Sequence, residues 1–273
     1  MLGPNVIPNI HHREKAFELL FDNLCNTFKE KFNIADDFLV IPITGSGTLA
    51  LEILINSLDV EFEHKFTDEE FGSRLEKINH QKKGTEGIAY VHYETSVSKL
   101  NSFRTDKITL LDAVSSFPYY DIPADVDAWV TVNSKQIGCN PGLSFIVIKE
   151  SLLSKVKPVE FSYLSLQRYI DYSKLNQTPN TPAISLMMET LEKLQSFDVD
   201  AFRIKIDKRR KQMDKVFSEN TGTGPVYTIN EEHHTDIKNV FGLYGKHNTQ
   251  IFLWSGTNND YNSLVNYAKR TKK

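Results

Sequence analysis

The chain has 273 residues, 40% hydrophobic and 25% charged, which is enough apolar content to bury one substantial core and a smaller second lobe. Lys and Arg number 32 against 35 Asp and Glu, for a formal net charge of -3 at pH 7. That balance offers no electrostatic footprint for nucleic acid or an anionic membrane and points instead to a small-molecule or protein partner. Cys25 and Cys139 are far apart and lack metal-type spacing, so neither a disulfide framework nor a metal site is expected, and a reducing cytoplasm fits best. Met1 to Arg13 holds no apolar segment followed by a small-residue cleavage site, and nowhere do about 18 apolar residues run together. Neither export nor a membrane span is expected.

The first element is a helix over Ala16 to Phe32, where Phe17, Leu20, Phe21, Leu24 and Phe28 recur at three-and-four spacing. Phe38 to Ile43 is a short apolar run that ends in Gly45-Ser46-Gly47-Thr48, after which Leu51, Leu54, Ile55 and Leu58 return to helical spacing. The order is strand, glycine turn, helix. Further apolar runs at Ile88 to Val91, Ile108 to Leu111, Ala128 to Val132 and Leu143 to Ile148 suit strands covered on both faces, as in a parallel or mixed sheet between helices. Pro179 and Pro182 break the chain before a helix over Ala183 to Leu194. Phe202 to Phe217, with five Lys or Arg between 205 and 211, reads as a helix whose basic run is a solvated face. A strand at Gln250 to Trp254 and a helix at Tyr261 to Lys269 close the chain. The whole is an α/β fold in which 1–160 forms a large domain, and 161–273 the connecting helices and a small α+β lobe.

The turn Gly45 to Thr48 lies where glycines let the backbone approach an anion and the first helical N–H groups face it. Ser46 or Thr48 can equally serve as a simple helix cap. Three further segments follow strand candidates: Val91 to Ser96, Leu111 to Ser116, and Asn133 to Gly142. On a parallel sheet all of them lie at the carboxyl ends of strands, the edge where such sheets bind ligands. Asp112 comes directly after an apolar run, so its carboxylate is half buried and needs a cationic partner to stay charged.

The ordered series GSGT, EEFG, HYETS, DAVSS, SKQIGCNPGLS and QTPNTPAIS resembles the class V aminotransferases among the fold-type-I pyridoxal-phosphate (PLP) enzymes. That group includes serine–pyruvate, alanine–glyoxylate and aminoethylphosphonate aminotransferases, with some lyases and desulfurases. The resemblance runs from about Gly3 to Arg210. It implies that Lys135, seven residues before Gly142, holds the cofactor as a Schiff base and then moves a proton. It implies that Asp112 keeps the pyridine nitrogen protonated. Ser46, Gly47 and Thr48 would cradle the phosphate, and Thr95 would contact the ring. Phe71 would stack on the ring or else be an ordinary core aromatic. Ser134 takes the place of a common glutamine or histidine and would approach the phosphate. Thr181 matches a threonine that reaches the neighbouring subunit's phosphate, which implies a homodimer with shared active sites.

His92 either polarises a group near the cofactor or is structural. Arg13, in an HHR segment, either contacts a substrate anion or is a surface arginine. The leading expectation is amino transfer between a small amino donor and an oxo acid or aldehyde. The alternatives are a PLP-dependent lyase or decarboxylase, and a relative that no longer catalyses. Two departures stand out. Val97 to Leu111 is too short for the customary helix plus strand, and Gln250 to Trp254 lacks the arginine that commonly clamps a substrate carboxylate. Arg13, Arg74 or a lysine replaces that arginine, or else the substrate is not a simple α-amino acid.

Overall fold

A computed structural model describes residues 10–78, 83–158, 162–217, 222–229 and 249–271. Residues 3–9, included in the resemblance, lie outside them. The large body contains α1 (Lys15–Lys31), β1 (Phe38–Thr44), α2 (Gly47–Ser57), β2 (Phe62–His64), α3 (Glu70–Ile78) and β3 (Gly87–Val91). A hairpin of β4 (Tyr93–Glu94) and β5 (Lys99–Leu100) follows, then β6 (Ile108–Asp112), β7 (Ala128–Val132) and β8 (Leu143–Lys149). After it come α4 (Leu166–Ser173), α5 (Ile184–Ser196), α6 (Val199–Asp214), β9 (Val226–Ile229), β10 (Thr249–Phe252) and α7 (Asn258–Thr271). No described helix is long and apolar enough to cross a membrane.

Six strands form the main sheet in the order β1-β8-β7-β6-β3-β2. β2, β3, β6 and β7 pair in parallel, and β8 runs antiparallel to both β7 and β1. The apolar runs are continuous because alternate residues feed two separate cores. Ala128 and Val130 enter a cluster with Ile41, Ile146 and the apolar side of α2, while Trp129 enters another with Phe145 and the apolar stripe of α1. Pro42 is accommodated because β1 is an edge strand, where a missing N–H breaks no ladder on its free side. The reversal of β8 brings its start to the edge where the parallel strands end, and Gly45 N–H donates to Gly142 O at 2.8 Å there.

The short connection from β3 to β6 carries the β4–β5 hairpin in place of a crossover helix. The hairpin is anchored to the small lobe: Ser98 Oγ donates to Val226 O at 3.1 Å, and Thr223 N–H donates to Ser98 O at 2.9 Å. α4 and α5 pack on the large body, and a third core begins at Phe197 and joins α6, β9, β10 and α7.

The basic run of α6 is not wholly a solvated face. Arg209 falls on the same stripe as Phe202, Ile206 and Met213 and is 3% exposed. The turn after β10 leaves carbonyls that need donors, and the Arg209 guanidinium donates to Leu253 O at 2.7 Å, Ser255 O at 2.9 Å and Gly256 O at 2.9 Å. Arg210 likewise donates to Gly224 O and Gly222 O. Charge count alone suggested solvent; unpaired backbone carbonyls decided otherwise.

Candidate active site

A cavity of about 460 Å³ opens at the carboxyl edge of the sheet, within the range of small-ligand sites. Its wall brings together Ser46, Gly47, Thr48, Phe71, Asp112, Ser134 and Lys135, all named from the sequence. Arg74 and Val114 line it as well.

The part of the wall suited to an anion is the start of α2. Ser46 Oγ accepts from Leu49 N–H at 3.2 Å as the N-cap, so the N–H groups of Gly47 and Thr48 are the helix donors left without an intrahelical acceptor. Helix capping and anion binding are therefore compatible at this turn. Gly47 lets α2 pack closely here, because an added Cβ would stand 2.5 Å from Val114 Cγ2 and force that side chain to shift.

Asp112 ends β6 and is buried. Its Oδ1 accepts from Val114 N–H at 3.0 Å, and burial raises its carboxyl pKa. Lys135 lies in the loop between β7 and β8, closed by Cys139 N–H donating to Asn133 O at 3.1 Å. Its Nζ donates to Ser115 Oγ at 2.7 Å, and burial lowers its pKa. Ser115 is held in turn by Gln136, whose Nε2 donates to Ser115 O at 2.6 Å. Among the described residues no direct ion pair joins Asp112 to Lys135, so a carboxylate and an amine face one cavity from separate mounts. Such a site suits a ligand with an anionic group, a carbonyl within reach of the amine, and a basic nitrogen for the carboxylate.

Phe71 sits at the start of α3, 5.6 Å from ring centre to Lys135 Nζ. The buried Glu94 fixes that helix: its Oε2 accepts from Phe71 N–H at 2.9 Å and Gly72 N–H at 3.1 Å. Gly72 lets the helix touch the preceding loop, since an added Cβ would stand 2.0 Å from Phe66 O. Gly72→Ala is expected to displace α3 and destabilise the fold by about 1–3 kcal/mol, read from the urea midpoint. An unchanged midpoint would refute the packing argument.

The remaining named residues lie off the cavity wall. Thr95 is buried behind it, and its carbonyl accepts from Gln250 Nε2 at 2.9 Å, tying the small lobe to the large body. His92 is buried against Ser116 Oγ at 3.0 Å from its Nδ1, and burial lowers its pKa to about 4. Arg13 donates to Gln177 Oε1 at 2.7 Å and Thr178 O at 3.1 Å and stacks on Tyr172. Thr181 is exposed, two residues before Ala183, whose N–H donates to Thr44 Oγ1 at 3.0 Å at the end of β1. Ser115 and Glu94 escaped assignment, although both lie inside the quoted segments DAVSS and HYETS. Their partners are 20 and 23 residues away, in Lys135 and Phe71, so no local pattern could disclose the contacts.

No family model matches the chain. It is 26% identical over 230 residues to an uncharacterized aminotransferase of Methanocaldococcus jannaschii, covering 68% of this chain and 59% of that protein. It is 21% identical over 224 residues to 2-aminoethylphosphonate–pyruvate transaminase 2 of Paraburkholderia xenovorans, covering 66% and 60%. The chain thus spans about three fifths of the length of these relatives. Its fold superposes on a phosphoserine aminotransferase of Cytophaga hutchinsonii with a TM-score of 0.84 at 17% identity, over 97% of this chain and 91% of that one. In sequence and in fold the chain is similar to class V-type aminotransferases, and its architecture is that of fold type I.

Proposed function

We propose that the protein is a PLP-dependent aminotransferase acting on a small amino donor and an oxo acid or aldehyde. The observation that carries this reading is the pair of separately mounted groups, Asp112 and Lys135, facing one cavity beside an open helix N-terminus. The residues fit PLP: two helix N–H groups for the phosphate, a buried carboxylate for the ring nitrogen, an amine for the aldehyde, and Phe71 for the ring face. When bound, PLP supplies an electron-withdrawing ring conjugated to the substrate's amino carbon, which stabilises the charge left when a bond there breaks.

The Gly47 and Thr48 N–H groups would bind and orient the phosphate, with the side chains of Ser46, Thr48 and Ser134 lining the same cavity. Asp112 holds the proton on the ring nitrogen. A cation at that point would favour the ionised carboxylate against the burial that raises the Asp112 pKa. Lys135 Nζ would hold the cofactor covalently and, when free of it, would carry a proton at the substrate carbon. Its lowered pKa leaves the neutral amine more available for both tasks, and Ser115 Oγ fixes where that amine points. Phe71 restricts the plane of the ring. The low pKa of His92 keeps it neutral at physiological pH, a polar support to the wall behind the site.

The active unit is a homodimer: Thr181, matched by resemblance to a threonine that reaches the neighbouring subunit's phosphate, is exposed and so open to such a contact. Residues 1–160 carry the cofactor, and 161–273 supply the connecting helices and the small lobe. The free thiols of Cys25 and Cys139 suit the cytoplasm.

Titration of the purified chain with PLP tests the reading. A visible absorbance band and a rise in Tm of roughly 5–10 °C at about a hundredfold excess over Kd are expected. The band should bleach on adding an amino donor and return with an oxo acid. Failure of PLP to bind, or no bleaching across a broad donor panel, would sink the assignment.

A further inference from the structure

Among the described residues lining the cavity, only Asp112, Lys135 and Arg74 carry charge, and Arg74 has no task in the reading above. It lies on α3 one turn after Phe71, with its guanidinium carbon 4.7 Å from the centre of the Phe71 ring. Lys135 Nζ is 5.6 Å from that same centre, so the two cations cannot be farther apart than these two distances laid end to end. Lys135 marks the reacting end of the site, and Arg74 lines the same cavity across the Phe71 ring from it or beside it. Burial dominates the pKa of both Asp112 and Lys135, and the Arg74 charge acts on each in addition, favouring ionised Asp112 and neutral Lys135.

The present partner of Arg74 is easily exchanged. Glu70, one turn earlier, accepts a single hydrogen bond from an Arg74 terminal nitrogen at 3.2 Å, and the two side chains are 47% and 58% exposed. Exposed pairs at this spacing hold weakly. A bidentate oxyanion at the cavity wall binds a guanidinium better, because two charge-assisted bonds in fork geometry replace a single one. Other guanidinium groups are committed elsewhere: Arg13 to the segment at Gln177, Arg203 to Pro118 O and Asp121, and Arg209 and Arg210 to carbonyls of the small lobe. None of these four lines the cavity.

We propose that Arg74 grips the oxyanionic group of the substrate, exchanging Glu70 for it, and so sets specificity from the large body where the small lobe's β10 offers Gln250 to Phe252 and no cation. This rests on the reading of the cavity as a PLP site. The cofactor phosphate is the other oxyanion available, but the α2 N–H groups already serve it, whereas Arg74 shares the Phe71 ring with Lys135.

The test uses PLP-loaded protein and maleate, a dicarboxylate with neither an amino nor an oxo group. PLP affinity and maleate affinity are measured separately, the second from the shift of the bound-cofactor absorbance. Arg74→Ala is expected to keep PLP affinity within about twofold while weakening maleate about tenfold or more, with partial recovery in Arg74→Lys, which retains charge without the fork. Glu70→Gln, which removes the competitor, should tighten maleate by about twofold. A parallel loss of PLP affinity in Arg74→Ala would overturn the proposal by assigning the side chain to the cofactor phosphate. Unchanged maleate affinity in that variant, or no maleate binding to the wild type, would overturn it as well. Failure of the wild type to take up PLP is a different outcome, and it would bring down the cavity reading itself.

Discussion

Lys135→Ala is expected to abolish the visible absorbance of the bound cofactor and to lower turnover on the order of 10³-fold or more. On the proposed reading both effects follow from one atom, because Nζ would be at once the covalent attachment point and the proton carrier. Its hydrogen bond to Ser115 and its depressed pKa add to the preparation of the amine. Lys135→Arg separates charge from chemistry. It retains a cation near Asp112 but offers no group of suitable pKa or nucleophilicity, so it should fail as completely as alanine. Substantial activity in Lys135→Arg would show that the positive charge alone matters, and the covalent role would then be wrong. Reversed-phase mass analysis after borohydride reduction provides an independent reading, since the wild type should gain the mass of one reduced cofactor and the variants none.

Asp112→Asn carries the second large effect, and its sign on stability distinguishes a functional carboxylate from a structural one. Removing the charge-assisted partner of the ring nitrogen should weaken cofactor binding or turnover by about 1.5–3 kcal/mol, one to two orders of magnitude. In the protein without cofactor the same substitution should leave Tm unchanged or raise it at neutral pH. The physical basis is burial: the folded carboxyl pKa is raised above its unfolded value, so native Asp112 binds its proton more tightly than the unfolded chain does. Its contribution to stability is fully present below the ordinary carboxylate range and is lost as pH rises through the raised folded value. Asparagine does not titrate, and the variant should gain on the wild type across that window. A structural ion pair predicts the opposite, a loss of about 3–5 kcal/mol on removing one partner. Thermal melts of the two apoproteins at several pH values decide between them.

The small lobe shows how far a local reading extends. The sequence predicts a helix over Phe202 to Phe217 and α6 spans Val199–Asp214, but five basic residues in seven gave no hint that Arg209 turns inward. Whether a guanidinium faces water or protein depends on what the opposite wall lacks, and here that wall presents the carbonyls of 253–256. β2 and α3 were similarly silent. β2 is only three residues long, and α3 combines a buried glycine with the polar start Glu70, so neither makes a long periodic signal.

The amino-acid sequence by itself determined the strand order's raw material and the two ends of the cavity. Short apolar runs covered on both faces require a sheet between helices, and the segments that follow such runs carry GSGT, Asp112 and Lys135. Tertiary structure alone decided which neighbours those residues meet. It placed Ser115 on Lys135, Glu94 beneath the helix that bears Phe71, and Arg74 on the wall, and it set His92, Thr95, Arg13 and Thr181 off that wall. The reason is a difference in range. Periodicity and strand-end position are properties of a few consecutive residues, whereas each of those contacts closes a gap of some twenty residues or more through packing of the whole domain.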